Sequence, residues 1–65
     1  MSPPNTRLWM SSDAMTVVVE VRFDGVIVKA PPIVHRFLGQ PIDNLRLWMS
    51  KQPGFKEEFV EEVAP

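Results

Sequence analysis

An Asp24–Gly25 pair between two stretches of β-branched residues limits the fold more than any other feature of this chain. Before it, Met15, Val17, Val19, Val21 and Phe23 alternate with Thr16, Val18, Glu20 and Arg22. After it the chain returns as Val26-Ile27-Val28-Lys29. Such alternation is the pattern of a half-buried strand. Asp-Gly suits a two-residue type I′ turn, whose central residues both need positive φ. A loop at 24–25 pairs Phe23 with Val26, Arg22 with Ile27, Val21 with Val28 and Glu20 with Lys29. Val19, Val21, Phe23, Val26, Val28 and Ala30 then share one apolar face, with Glu20–Lys29 as an opposite-charge pair on the other. The pattern predicts an antiparallel hairpin over 15–23 and 26–30.

Beyond the hairpin the period changes. Ala30-Pro31-Pro32 ends the strand, and Pro32 fits a first helical turn. Ile33, Val34, Phe37 and Leu38 then predict a short helix over 32–38, closed by Gly39. Pro41 opens a second helix over 42–52, with Asp43 in its first turn and Ile42, Leu45, Trp48 and Met49 as its buried stripe. Arg46, Ser50 and Lys51 point away from that stripe, and Gln52-Pro53-Gly54 stops it. Phe55, Phe59 and Val63 recur at four-residue spacing and predict a third helix over 55–63. A strand is the alternative there, but its face would mix Phe with Glu. Residues 1–14, rich in Pro and Ser, read as a flexible tail ahead of one domain over 15–63. The expected class is α+β: an antiparallel hairpin with two or three short helices packed on one face.

Size and composition restrict function. A 65-residue chain without cysteine has no disulfide to staple it and no thiolate metal site. Domains this short bury only about 60% of their unfolded surface. A lone two-stranded hairpin is marginal in water, and its open edges invite another strand. Association with a protein partner or a second copy of the chain is therefore expected, through the hairpin edges. No apolar run approaches the roughly 20 residues of a membrane helix. The opening residues lead into no hydrophobic signal core, so the cytoplasm of a bacterium-like cell is the expected location. Net charge is −1, but its distribution is uneven. Arg22, Lys29, Arg36, Arg46, Lys51 and Lys56 crowd the middle, and Glu57, Glu58, Glu61 and Glu62 crowd the end. Such a chain can fold its acidic end onto its basic middle or offer a basic face to an anion.

Few residues suggest chemistry. Arg7-Leu8-Trp9-Met10-Ser11 recurs as Arg46-Leu47-Trp48-Met49-Ser50, and the identity stops there. A duplicated domain is unsupported, and coincidence is the plainer reading. Trp9, Met10 and Trp48 are the candidate interaction residues, because Trp is enriched at interface hot spots. Trp48 is most simply a core residue, whereas Trp9 could anchor a partner or equally fold back over the hairpin. His35 is the single histidine and lacks the companions that acid–base catalysis or zinc would need. The four terminal glutamates lack the spacing of a calcium loop. No phosphate loop, nucleophile elbow or zinc-helix motif is present. The expectation is a non-enzymatic interaction module or accessory subunit without a cofactor. The alternative is a small DNA-binding regulator with Arg22, Lys29, His35 and Arg36 toward the phosphates.

One loose resemblance bears on that alternative. Gly25-Val26-Ile27-Val28, Pro31 and Leu38-Gly39 are loosely similar to the swapped-hairpin DNA-binding family that includes many antitoxins. The likeness spans residues 25–39 and implies strand, return strand and Pro-started helix. Val26 stands where that family has a basic residue, and a helical Asp43–Trp48 stretch replaces its next strand.

Overall fold

A row of inward-facing valines on one strand needs a neighbour on each side, and the chain supplies one from each direction. In the computed structural model, which describes residues 3–64, the elements run β1 (Asn5–Ser11), β2 (Thr16–Val21), β3 (Ile27–Lys29), a 3-10 helix (Pro32–Phe37), α1 (Ile42–Ser50) and β4 (Lys56–Val63). The α+β class holds. The sheet is antiparallel and four-stranded, in the order β3-β2-β1-β4.

The tail expected over 1–14 is corrected. Residues 5–11 form β1, a central strand, and residues 1 and 2 lie outside the described residues. Met10 pairs with Val17, Leu8 with Val19 and Thr6 with Val21. Met10, Val17, Val19 and Val21 are all buried. The pairing gives the β2 valines a second apolar row to pack beside. The turn into β2 is held by Ser12, whose N–H donates to the Met15 carbonyl at 2.8 Å. Its Oγ accepts from the N–H groups of Ala14 and Met15 at 3.2 and 3.3 Å, the local bonding that makes serine a turn residue.

The hairpin keeps its strands but not its turn. Asp24 does not have positive φ; only Gly25 does, at +87°. The Gly25 N–H donates to Arg22 O at 2.9 Å, and the Arg22 N–H donates to Val26 O at 2.8 Å. Phe23-Asp24-Gly25 is thus a three-residue loop with glycine at its left-handed position. Asp24 accepts from the Val26 N–H at 3.2 Å and from Arg22 at 2.7 and 3.1 Å. Glu20 pairs with Lys29 as expected, but Val21 pairs with Ile27 rather than Val28. The three-residue loop sets Ile27 opposite Val21 and into the core, 1% exposed, and leaves Phe23 in the loop, 72% exposed, while a bulge at Val28 restores the Glu20–Lys29 pairing. A bulge takes up one extra residue in this way.

The 32–38 helix is a 3-10 helix with a non-helical kink at Val34. Its three-residue period brings Val34 and Phe37 inward, and Ile33 and Leu38 stay exposed. The second helix matches its expected start and stops at Ser50, near the expected 52. Ile42, Leu45 and Met49 are buried, and Trp48 is half-buried against them. Both helices cover the face of the sheet that carries Met10 and the β2 valines.

The third helix expected over 55–63 is corrected to β4, which lies antiparallel to β1. Two features permit an acidic strand. The register shifts between Arg7 and Leu8, so Val60 is the extra residue and Glu61 and Val63 turn to the face opposite Phe59, beside Arg7 and Asn5. Arg7 and Arg46 also reach the strand's carboxylates from opposite faces, pairing with Glu61 and Glu57. Gly54, at φ +77°, sets the entry angle beside the β1–β2 turn, where Asp13 N–H donates to Pro53 O at 2.9 Å.

Candidate interaction surface at the β4 edge

The valine-rich hairpin buries its own edges. β1 takes one side of β2, and β3 takes the other. The outer side of β3 is in turn occupied by the 39–42 segment. Ile27 N–H donates to Gln40 O at 3.0 Å, Gly39 N–H donates to Ile27 O at 2.8 Å, and Ile42 N–H donates to Gly25 O at 2.7 Å. The hairpin edges therefore do not offer the association surface expected from the sequence. β4 is the long strand whose outer side pairs with nothing among the described residues, and it runs from Lys56 to Val63. An unpaired strand edge is a row of N–H and C=O groups able to bond another strand.

The side chains along that edge are arranged in order. Glu57, Phe59 and Glu62 stand opposite Met10, Leu8 and Thr6, on the helix-covered face. Lys56, Glu58, Glu61 and Val63 stand opposite Ser11, Trp9, Arg7 and Asn5, on the other face. Arg46 donates to Glu57 through Nε at 2.8 Å and Nη2 at 3.0 Å, and to Asp43 through Nη1 at 2.6 Å. The bond to Glu57 is the main reason its guanidinium is held above the ordinary arginine pKa. Arg7 donates to Glu61. Glu58 and Glu62 make no ion pair among the described residues. Between them lie Phe59 and Val60, 63% and 48% exposed.

The residues singled out in the sequence are dispersed. Met10 is fully buried in the core, so its candidacy as an interaction residue is corrected. Trp9 lies half-buried on the sheet face away from the helices, paired with the exposed Val18. Trp48 packs on Phe37, ring centroids 5.6 Å apart, under the Arg36 guanidinium at 4.6 Å. The candidate phosphate contacts are largely committed elsewhere. Arg22 is bound to Asp24 at 2.7 Å, a contact that raises the arginine pKa and lowers that of the aspartate. Lys29 lies 3.9 Å from Glu20, which also accepts from Asn5 at 2.9 Å. Arg36 stacks on Phe37 and Trp48, and His35 is exposed beside it. No group of three or more metal-ligating side chains converges among the described residues. Glu58, Phe59, Val60 and Glu62 are not among the interaction residues that the sequence pattern singles out. Two large apolar residues framed by glutamate pairs were the available signal.

No family model, curated protein or solved structure matches this chain.

Proposed function

We propose that this chain is a non-enzymatic protein-interaction module that works through the outer edge of β4. The observation that supports it is a long strand, open on its outer side, with two large apolar side chains exposed at its middle. Strand addition to a free edge is a common mode of peptide recognition, with main-chain bonds for affinity and alternate side chains for specificity. The half-buried Trp9 beside Val18 gives the adjoining sheet face an apolar centre that extends the same surface. The nucleic-acid alternative draws less support, because Arg22 and Lys29 have carboxylate neighbours and Arg36 lies over aromatic rings.

Site-specific photocrosslinking in cells tests this reading. Benzoylphenylalanine replaces Phe59 in one variant and Leu47 in another. The two positions are matched in exposure, at 63% and 61%. A discrete adduct from position 59 and none from position 47 is the expected result. Equal labelling from both, or none from position 59, defeats the proposal.

A further inference from the structure

We propose that the β4 edge accepts an extended basic segment of a partner protein, added as a fifth strand, in preference to a second copy of this chain. The inference rests on β4 being the working surface and adds the chemistry of what binds there.

Charge points to the occupant. β4 carries Glu57, Glu58, Glu61 and Glu62 against Lys56 alone. Arg46 and Arg7 neutralise Glu57 and Glu61 from within the fold. Glu58 and Glu62 lie on opposite faces of the strand and have no ion-pair partner among the described residues. Each face of an incoming strand thus meets one uncompensated carboxylate. Opposite charges paired across strands are favourable, and like charges directly opposite are unfavourable.

Self-pairing meets that penalty. Centring two antiparallel copies between Phe59 and Val60 places Glu57 opposite Glu62 and Glu58 opposite Glu61. Centring them on Phe59 places the arginine-paired Glu57 and Glu61 opposite each other and Lys56 opposite Glu62, and centring them on Val60 places Glu58 opposite Glu62. Lys56 relieves only the Phe59-centred register, and in every register the second copy brings four glutamates against one lysine. Charge alone would serve to guard the edge against aggregation. A purely guarded edge has no use for Phe59 and Val60 at its middle, each about half-exposed or more. Those two residues offer an apolar contact, and the flanking glutamates select for Lys or Arg on either side. The complementary segment has the order basic, basic, apolar, apolar, basic, basic.

The probe is a fluorescein-labelled peptide, Thr-Lys-Lys-Val-Ile-Lys-Lys-Thr with blocked ends, titrated with the full chain and followed by anisotropy. Two further peptides carry N-methyl groups on alternate backbone nitrogens, one on the odd positions and one on the even. A fourth replaces every Lys with Glu. The basic peptide is expected to bind, and the acidic one is not. One N-methylated peptide, and only one, is expected to lose at least tenfold in affinity, because alternate N–H groups of an edge strand face its neighbour. Glu58→Lys with Glu62→Lys removes no ion pair and is expected to weaken binding at least tenfold, with circular dichroism reporting an intact fold. Equal binding of both N-methylated peptides overturns strand addition and leaves charge attraction alone. No binding of the basic peptide overturns the proposal. Sedimentation of the chain alone then separates the cases. A dimer abolished by Val60→Lys keeps the β4 edge as a working surface with the wrong occupant, whereas a single chain removes both readings.

Discussion

Truncating Met10 to alanine separates a central strand from a tail. Met10 is fully buried in the core, opposite Val17 on β2, and faces the helix layer with Leu8. Met10→Ala deletes the thioether and its methyl from a packed site. Buried Met→Ala changes cost about 2–5 kcal/mol, the spread reflecting how far the cavity collapses. At about 0.05–0.15 kcal/mol per residue, a domain of this size holds roughly 3–10 kcal/mol in all. The substitution should therefore remove about a fifth of the total stability at the least, and on the larger estimates most of it. For so small a domain, each kcal/mol lowers Tm by roughly 4–8 °C. Met49→Ala, from the helical copy of the same pentapeptide and equally buried, should fall in the same range. Leu47→Ala, 61% exposed, should stay within about 0.5 kcal/mol of the parent. Urea unfolding, followed by far-ultraviolet circular dichroism and tryptophan fluorescence, measures all three. If Met10→Ala behaves like Leu47→Ala, β1 is not seated between β2 and β4 and the sheet order is wrong.

Gly54→Ala should destabilise by about 1–3 kcal/mol, because left-handed backbone disfavours a Cβ and that Cβ would lie 2.3 Å from Asp13 Oδ1. Gly39→Ala, at φ +81° with open space around it, should lose only the conformational part, and Asp13→Gly should relieve part of the Gly54→Ala loss in thermal melts. Arg46→Ala, which breaks a bidentate but partly exposed pair with Glu57, should cost about 0.5–1 kcal/mol, diminishing in high salt. An unchanged Tm across salt would argue that the pair is idle. The Arg22 hydrogen bond holds the Asp24 carboxyl below its ordinary pKa, so the contact favours the fold above the unfolded value and fades as pH falls through the folded one. A carboxyl NMR titration should show the Asp24 midpoint rising in Arg22→Gln; an unmoved midpoint would remove the arginine as its cause.

The parts legible in the sequence were those whose local signals agree with their burial. Val19, Val21, the Glu20–Lys29 pair and the Ile42–Leu45–Met49 stripe all follow from period alone. The misread parts have tertiary causes. Arg7–Ser11 and Arg46–Ser50 are the same five residues, yet one is a strand and the other a helix. In both settings the methionine is buried and the arginine reaches a β4 glutamate. Neighbours outside the pentapeptide therefore choose its conformation, as expected where intrinsic propensities differ by only tenths of a kcal/mol per residue. β4 was hidden because its strand face mixes Phe with Glu, while Phe55, Phe59 and Val63 also fit a helical spacing. An edge strand exposed on both faces also lacks an apolar face to announce it. The candidate site shared that obscurity, because Glu58, Phe59, Val60 and Glu62 acquire meaning only once they lie on an open edge. The turn at Gly25 was visible as a turn, but its type depended on φ at Asp24, which composition does not specify.

The first and last strands of the chain are neighbours, and their outermost register partners are Asn5 and Val63. Residues far apart in the sequence thus lie side by side in one sheet. A short linker from Val63 to Asn5 would join the two strands without disturbing either, and a break could be placed in the loop at Phe23-Asp24-Gly25. The same adjacency orders events at birth: β1 and β2 can fold together as soon as they emerge, but β1 waits for β4 to be made before its second neighbour exists. Chains cut short by even one strand would present the apolar centre of the sheet to whatever is nearby.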